Sequence, residues 1–221
     1  MSALPSQSRY IIGTEACERF SFYGMKSILM LYMTGHLLMS DNWSTSTLHI
    51  FVAMVYLLPL AGAWLADKGW GRYKTILYIS LLYCVGHGVL ATADLSHTIE
   101  ARRYILMAGL FIIALGAGGI KPCVSAFMGD QIPNKSPQLM TKAFNAFYWA
   151  INLGSFFSFL VIPAMEQRYG YSWAFAVPGL FMGVATFVFW LGRKNYHKTP
   201  PARNSGQPGF WKVLFIILFH G

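Results

Sequence analysis

Long apolar runs separated by short polar breaks set the pattern of this chain. Six such runs stand at about 9–39, 46–66, 73–93, 102–128, 140–164 and 172–192. Each reaches the roughly 20 residues that a helix needs to cross the ~30 Å hydrocarbon core of a bilayer. The pattern predicts an all-α integral membrane protein, with a six-helix bundle over residues 1–193. Pro59, Pro122 and Pro178 fall inside runs, which membrane helices tolerate where neighbours satisfy the freed carbonyl. Gly116, Gly118 and Gly119, and the pair Gly179 and Gly183, suit close helix contact. A polar, proline-rich stretch over 194–208 reads as a cytoplasmic linker. An apolar stretch over 209–221 begins a further helix, either a seventh span or a lateral one. Its end in mid-segment is expected of a piece of a longer protein.

The first run departs from the pattern. It carries Glu15, Glu18, Arg19 and Lys26 inside an otherwise apolar and aromatic stretch. At about 100° per residue these four share a stripe with Tyr23, and Phe22 lies among them. At 1.5 Å per residue the stripe covers roughly 16 Å of the helix axis. One charge at the membrane centre costs about 2.5–3.5 kcal/mol on insertion scales, so four are hard to tolerate against lipid. They form either ion pairs that lock helices together or a polar pathway lined by titratable groups. Two unlike pairs on one face favour the pathway.

Composition agrees with the membrane reading. The chain is 55% hydrophobic and 11% charged, against about 25% charged in soluble domains. Its net charge of +9 would in a soluble protein point to nucleic acid, but here most basic residues sit in the short breaks. Arg9, then Lys68, Arg72 and Lys74, then Lys135 and Lys142, then Arg193, Lys194, Lys198 and Arg203 fall on one side. Arg102, Arg103 and Arg168 fall on the other, where Asp94 and Glu100 share the loop of the first two. The positive-inside rule then places both ends of the six-helix set in the cytoplasm, and no nucleic-acid partner is expected. The first run is too long and too charged for a signal peptide. Cys17, Cys84 and Cys123 lie within apolar runs and read as free thiols. No zinc pattern, nucleophile elbow or phosphate-binding loop is present, so the chain reads as neither an enzyme nor a metal or cofactor protein.

Three further constellations carry polar chemistry. His49 and Tyr56 share a face of the second run; the histidine reads as a structural hydrogen bonder or as a proton acceptor. Lys121 sits deep in the fourth run, before Pro122. Both surfaces lie about 13 Å or more away by helix rise, so it reads as a cation lining a cavity. Asn145, Tyr148, Asn152 and Ser155 share a face of the fifth run, suited either to bonds between helices or to holding a peptide-bond C=O or N–H. Between the second and third runs, Asp67, Arg72 and Lys74 flank a tight turn and read as a latch between helix ends, with a gating or structural role.

Four stretches together resemble the proton-dependent oligopeptide transporter family, a branch of the major facilitator superfamily. They are the Glu15-x-x-Glu-Arg-Phe-x-x-Tyr-Gly24 motif, the loop signature within Gly62 to Gly86, Lys121-Pro122 followed by Gly129-Asp-Gln131, and Phe144 to Phe156. In addition, the stretch from His49 to Pro59 is similar to the second helix of animal intestinal members, where that histidine is a proposed proton site. Gly69, Phe22 and Lys26 depart from residues frequent in the family, and Lys lacks the planar two-pronged contact of Arg.

The resemblance implies a transporter of 12 or 14 helices in two bundles, of which this chain is the amino-terminal six. It implies a multi-pass symporter of the plasma membrane, such as a bacterial inner membrane, importing di- and tripeptides with protons as the coupling ion. Glu15, Glu18, Arg19 and His49 would serve proton coupling; Tyr23, Lys26, Tyr56, Lys121 and Asn152 would line the peptide site. The absent carboxy-terminal bundle would supply the acid for the peptide's ammonium group. Another substrate in the same fold, such as nitrate or a peptide-like drug, and a bundle with no transport of its own are the alternative readings.

Overall fold

The computed structural model of the chain describes residues 4–201. Six long helices run back and forth, and no strand occurs among the described residues. Helix α1 covers Ser8–Leu31 and continues as a π-helical turn over Tyr32–His36. The others are α2 (Asp41–Trp70), α3 (Arg72–Leu95), α4 (Ile99–Asp130), α5 (Pro137–Tyr169) and α6 (Tyr171–Lys194). These five are long and apolar enough to cross a membrane; α1 is of similar length and holds the charged stripe. All six expected helices are present, most of them longer at their ends than the apolar runs alone suggest. The apolar stretch expected over 209–221, and the linker beyond residue 201, lie outside the described residues.

Local chemistry fixes where the helices begin and turn. Ser40 and Thr98 cap α2 and α4, each side chain accepting a backbone N–H three residues on, at 3.4 Å from Trp43 and 3.2 Å from Ala101. Pro137 occupies the first turn of α5, where its missing N–H costs nothing. Single glycines join α2 to α3 and α5 to α6. Gly71 and Gly170 have φ of 79° and 81°, a conformation strained for other residues. Helix α2 is interrupted at Leu58–Pro59 and ends in a π turn over Leu65–Trp70.

Helix α1 packs chiefly on α5 and α6, and α3 on α4 and α6, while α2 rests mainly on α4. Close approach depends on missing side chains. A Cβ on Gly154 would run into the Ala16 carbonyl of α1, and one on Gly62 into the Gly119 backbone of α4. At the end of the bundle near both described termini, Tyr196 inserts among Tyr10, Tyr73, Phe127 and Phe189. Burial pushes its phenol above the ordinary tyrosine range. The segment to Pro201 thus starts by packing on the bundle: Gln131 and His197 exchange bonds of 3.1 and 2.9 Å, and the Thr199 hydroxyl donates to Asp130 at 3.0 Å.

Candidate functional site

The charged stripe of α1 folds inward. Glu15, Glu18 and Arg19 are each less than one-tenth exposed. The i, i+4 spacing puts Arg19 beside Glu15, and its long side chain also reaches the adjoining Glu18: Nε lies 2.8 Å from Glu15 Oε1 and 2.6 Å from Glu18 Oε2. One N–H is therefore shared by two carboxylates. Both Glu18 oxygens are buried, and neither closes a hydrogen bond of full geometry. A buried charge without complete pairing is costly, so Glu18 depends on the Arg19 guanidinium beside it.

Lys121 approaches the same region from α4. Its ammonium stands 4.7 Å from the Phe22 ring centroid and 5.2 Å from that of Tyr56. Aromatic faces partly compensate a desolvated cation, yet Lys121 makes no ion pair with an acid among the described residues. The charges of Glu18 and Glu15 favour it, and the like charges of Arg19 and Lys26 oppose it. Phe22 joins the two groups, because Arg19 also lies over its ring at 6.0 Å. Residues from α1, α2 and α4 thus meet at one patch, with Tyr56 exposed on its rim.

The other expected site residues divide. Tyr23 is half-buried, its ring set against Phe22 and Phe159. Lys26 is half-buried and pairs with no acid among the described residues, so the two unlike pairs expected on α1 are instead one arginine between two acids. The reason is reach: Lys26 stands two turns beyond Glu18, whereas Arg19 is adjacent to it and four residues from Glu15. Asn152 is exposed on α5 and bonds back to the Tyr148 carbonyl of its own helix at 2.8 Å. With Asn145, Tyr148 and Trp149 it lines an open cavity of about 360 Å³. Its helix reaches the Lys121 patch through Phe159, which meets the Tyr23 ring beside Phe22. His49 is exposed on α2 and is not brought to the acidic cluster.

The expected latch takes a different partner. Arg72 Nη1 donates to both carboxylate oxygens of Asp130 of α4, at 2.8 and 2.7 Å, while Asp67 lies 3.8 Å from Nη2 and is largely exposed. Lys74 points outward and joins neither acid. Asp130 is the closer and the less exposed of the two acids, and short charge-assisted bonds to it explain the preference.

Two clusters escaped the reading of the sequence. At the opposite end of the bundle, Asp94 lies 2.5 Å from His36 and 3.3 Å from Arg102, while Arg103 donates to the Leu37 and Leu38 carbonyls. This answers the charge imbalance of the 102–103 loop. In the interior, His87 of α3 is fully buried, 2.9 Å from the Ser21 hydroxyl of α1, and stacked on Tyr83 one turn away. The i, i+4 spacing of two polar rings in an apolar run was the available signal.

The POT family model, PTR2, matches residues 73–220. The human protein "Solute carrier family 15 member 2" is 42% identical over 98% of this chain and 31% of its own length. "Peptide transporter family 1" of Drosophila melanogaster is 42% identical over 90% of this chain and 28% of its own. The in meso crystal structure of the POT family transporter PepTSo superposes with a TM-score of 0.83 at 47% identity, covering 90% of this chain and 40% of that one. A peptide transporter POT in complex with sulfate gives a TM-score of 0.80 at 29% identity, covering 98% and 44%. The chain therefore spans less than a third of the length of these curated relatives.

Proposed function

We propose that this chain, which belongs to the POT family, forms the amino-terminal half of a proton-coupled symporter that imports di- and tripeptides by alternating access. The observation that carries this reading is the buried Glu15–Arg19–Glu18 cluster joined through Phe22 to Lys121, which has no ion pair among the described residues. A peptide brings a carboxylate and an ammonium group. Lys121, held between two aromatic faces at the rim, suits the carboxylate; the ammonium needs an acid of the other half. Protonation of Glu18 or Glu15 would loosen its hold on Arg19 and change the relative stability of the outward- and inward-open states. The charge bias of the loops supports placing both ends of this bundle in the cytoplasm, and the plasma membrane is the membrane proposed for it.

Uptake of labelled dialanine by the complete protein in proteoliposomes, with and without an inward proton gradient, tests the proposal. Glu18→Gln is expected to abolish driven uptake and leave peptide counterflow measurable. Uptake indifferent to the gradient in the unaltered protein, or competition by nitrate rather than by peptides, would overturn it.

A further inference from the structure

Helices α1 and α3 meet twice along one line. Glu18 and Ser21 are three residues apart on α1; Tyr83 and His87 are four apart on α3. The Tyr83 hydroxyl faces the Glu18 carboxyl, and His87 Nε2 is 2.9 Å from Ser21 Oγ. The Tyr83 and His87 rings stack at 5.1 Å with 22° between their planes. All four side chains are buried, the two rings completely. Behind them the backbone closes in: a Cβ on Gly116 of α4 would strike Tyr83, and one on Gly179 of α6 would press on the His87 Cβ at 3.1 Å. The rings thus have neighbours on every side.

Against this confinement, the polar ends are uncommitted. The Tyr83 hydroxyl, both Glu18 oxygens and His87 Nδ1 are buried and close no hydrogen bond of full geometry. Pure packing would be served by apolar rings at positions 83 and 87, with no desolvation cost. Two polar rings in register with the acidic cluster call for another explanation.

We propose that His87, anchored by Ser21, is a positioning residue for proton coupling: it holds the Tyr83 ring so that its hydroxyl stays aimed at the Glu18 carboxyl. The inference rests on the proton-coupled reading above. The charged groups facing this site are Glu15, Glu18 and Arg19 from α1 and Lys121 from α4; α6 brings Gly179 to the His87 ring. With the hydroxyl facing it, the ionised carboxyl has a donor within reach of a small movement, beside Arg19. Without it, the carboxyl takes its proton more readily, because a lost donor disfavours the charged form.

The test is the pH profile of gradient-driven dialanine uptake by the complete transporter, with counterflow measured in parallel as the check on folding and binding. Tyr83→Phe is expected to move the profile to higher pH by on the order of one unit. His87→Leu should move it in the same direction, and the double variant no further than the larger single one, since both act through one contact. Replacing His87 by Phe keeps a ring against Tyr83 and should recover part of the shift. Ser21→Ala removes a single oxygen and carries the test should the His87 variants fail to reach the membrane; it should shift the profile less, in the same direction. A profile unmoved by Tyr83→Phe, or moved by it but by neither Ser21→Ala nor any folded His87 variant, overturns the inference while proton coupling stands. An unaltered protein whose uptake ignores the gradient removes the premise and the inference together.

Discussion

Arg19 spends one nitrogen on two acids, and that economy separates the titratable residues of this chain into unequal roles. Glu18 is almost completely buried beside Arg19, whereas His49 stands exposed on α2 and apart from the cluster. A proton that changes the ion pairing of the interior must act where ion pairing exists. His49→Ala is therefore expected to move the pH profile of uptake by less than Glu18→Gln disturbs it, and to leave transport measurable. Loss of uptake at every pH in His49→Ala, with uptake retained in Glu18→Gln, would reverse the assignment. The α1 stripe was legible because four charged residues in one apolar helix have few acceptable places. Which acid met which base was not, because it depends on the reach of each side chain: Arg19 spans to both acids and Lys26 to neither.

Between elements, what the sequence cannot display is register. Six apolar runs announce six helices, and Gly71 and Gly170 occupy turns that demand positive φ. The partner of Arg72, by contrast, follows from how α3 lies on α4, which brings Asp130 nearer than the sequence neighbour Asp67. The Tyr83–His87 contact with α1 was hidden for the same reason. Two predictions belong to this scale. Asp130→Asn should lower the stability of the purified transporter by about 1–3 kcal/mol, the usual value of a hydrogen bond to a charged group, whereas Asp67→Asn should cost less than about 1 kcal/mol as an exposed pair does. Thermal unfolding in detergent compares them, and equal losses would deny Asp130 its special place. Gly154→Ala should cost about 1–3 kcal/mol, because the added methyl forces α5 away from the Ala16 carbonyl of α1. Gly183→Ala meets nothing within 4 Å and should be neutral or slightly stabilising, as the better helix former. Equal destabilisation by both would mean that helix contact is not what Gly154 serves.

For the whole molecule, the interior charge balance of this bundle does not close on itself. Arg19, Lys26 and Lys121 face two acids, Glu15 and Glu18, and Arg19 holds both. Lys121 is left with aromatic faces, half-buried between Phe22 and Tyr56. Cation–π contact with two rings is worth about 1–4 kcal/mol in all, less than the several kcal/mol that a desolvated ammonium costs. Under the function proposed above, the further partner is a peptide carboxylate or an acid of the second bundle. Lys121→Arg in the complete protein is expected to restore little of the uptake that Lys121→Ala abolishes, since a guanidinium spreads its charge over a rigid fork where an ammonium is a compact point charge. Binding of a dipeptide and of its C-terminal amide separates the two partners. If Lys121 holds the peptide carboxylate, unaltered protein prefers the free acid and Lys121→Ala loses that preference while still binding both weakly. If it pairs with an acid of the other half, Lys121→Ala keeps the preference and binds, but no longer transports. Wild-type binding and wild-type uptake in Lys121→Ala would refute both roles, and would leave the aromatic cradle as its only partner.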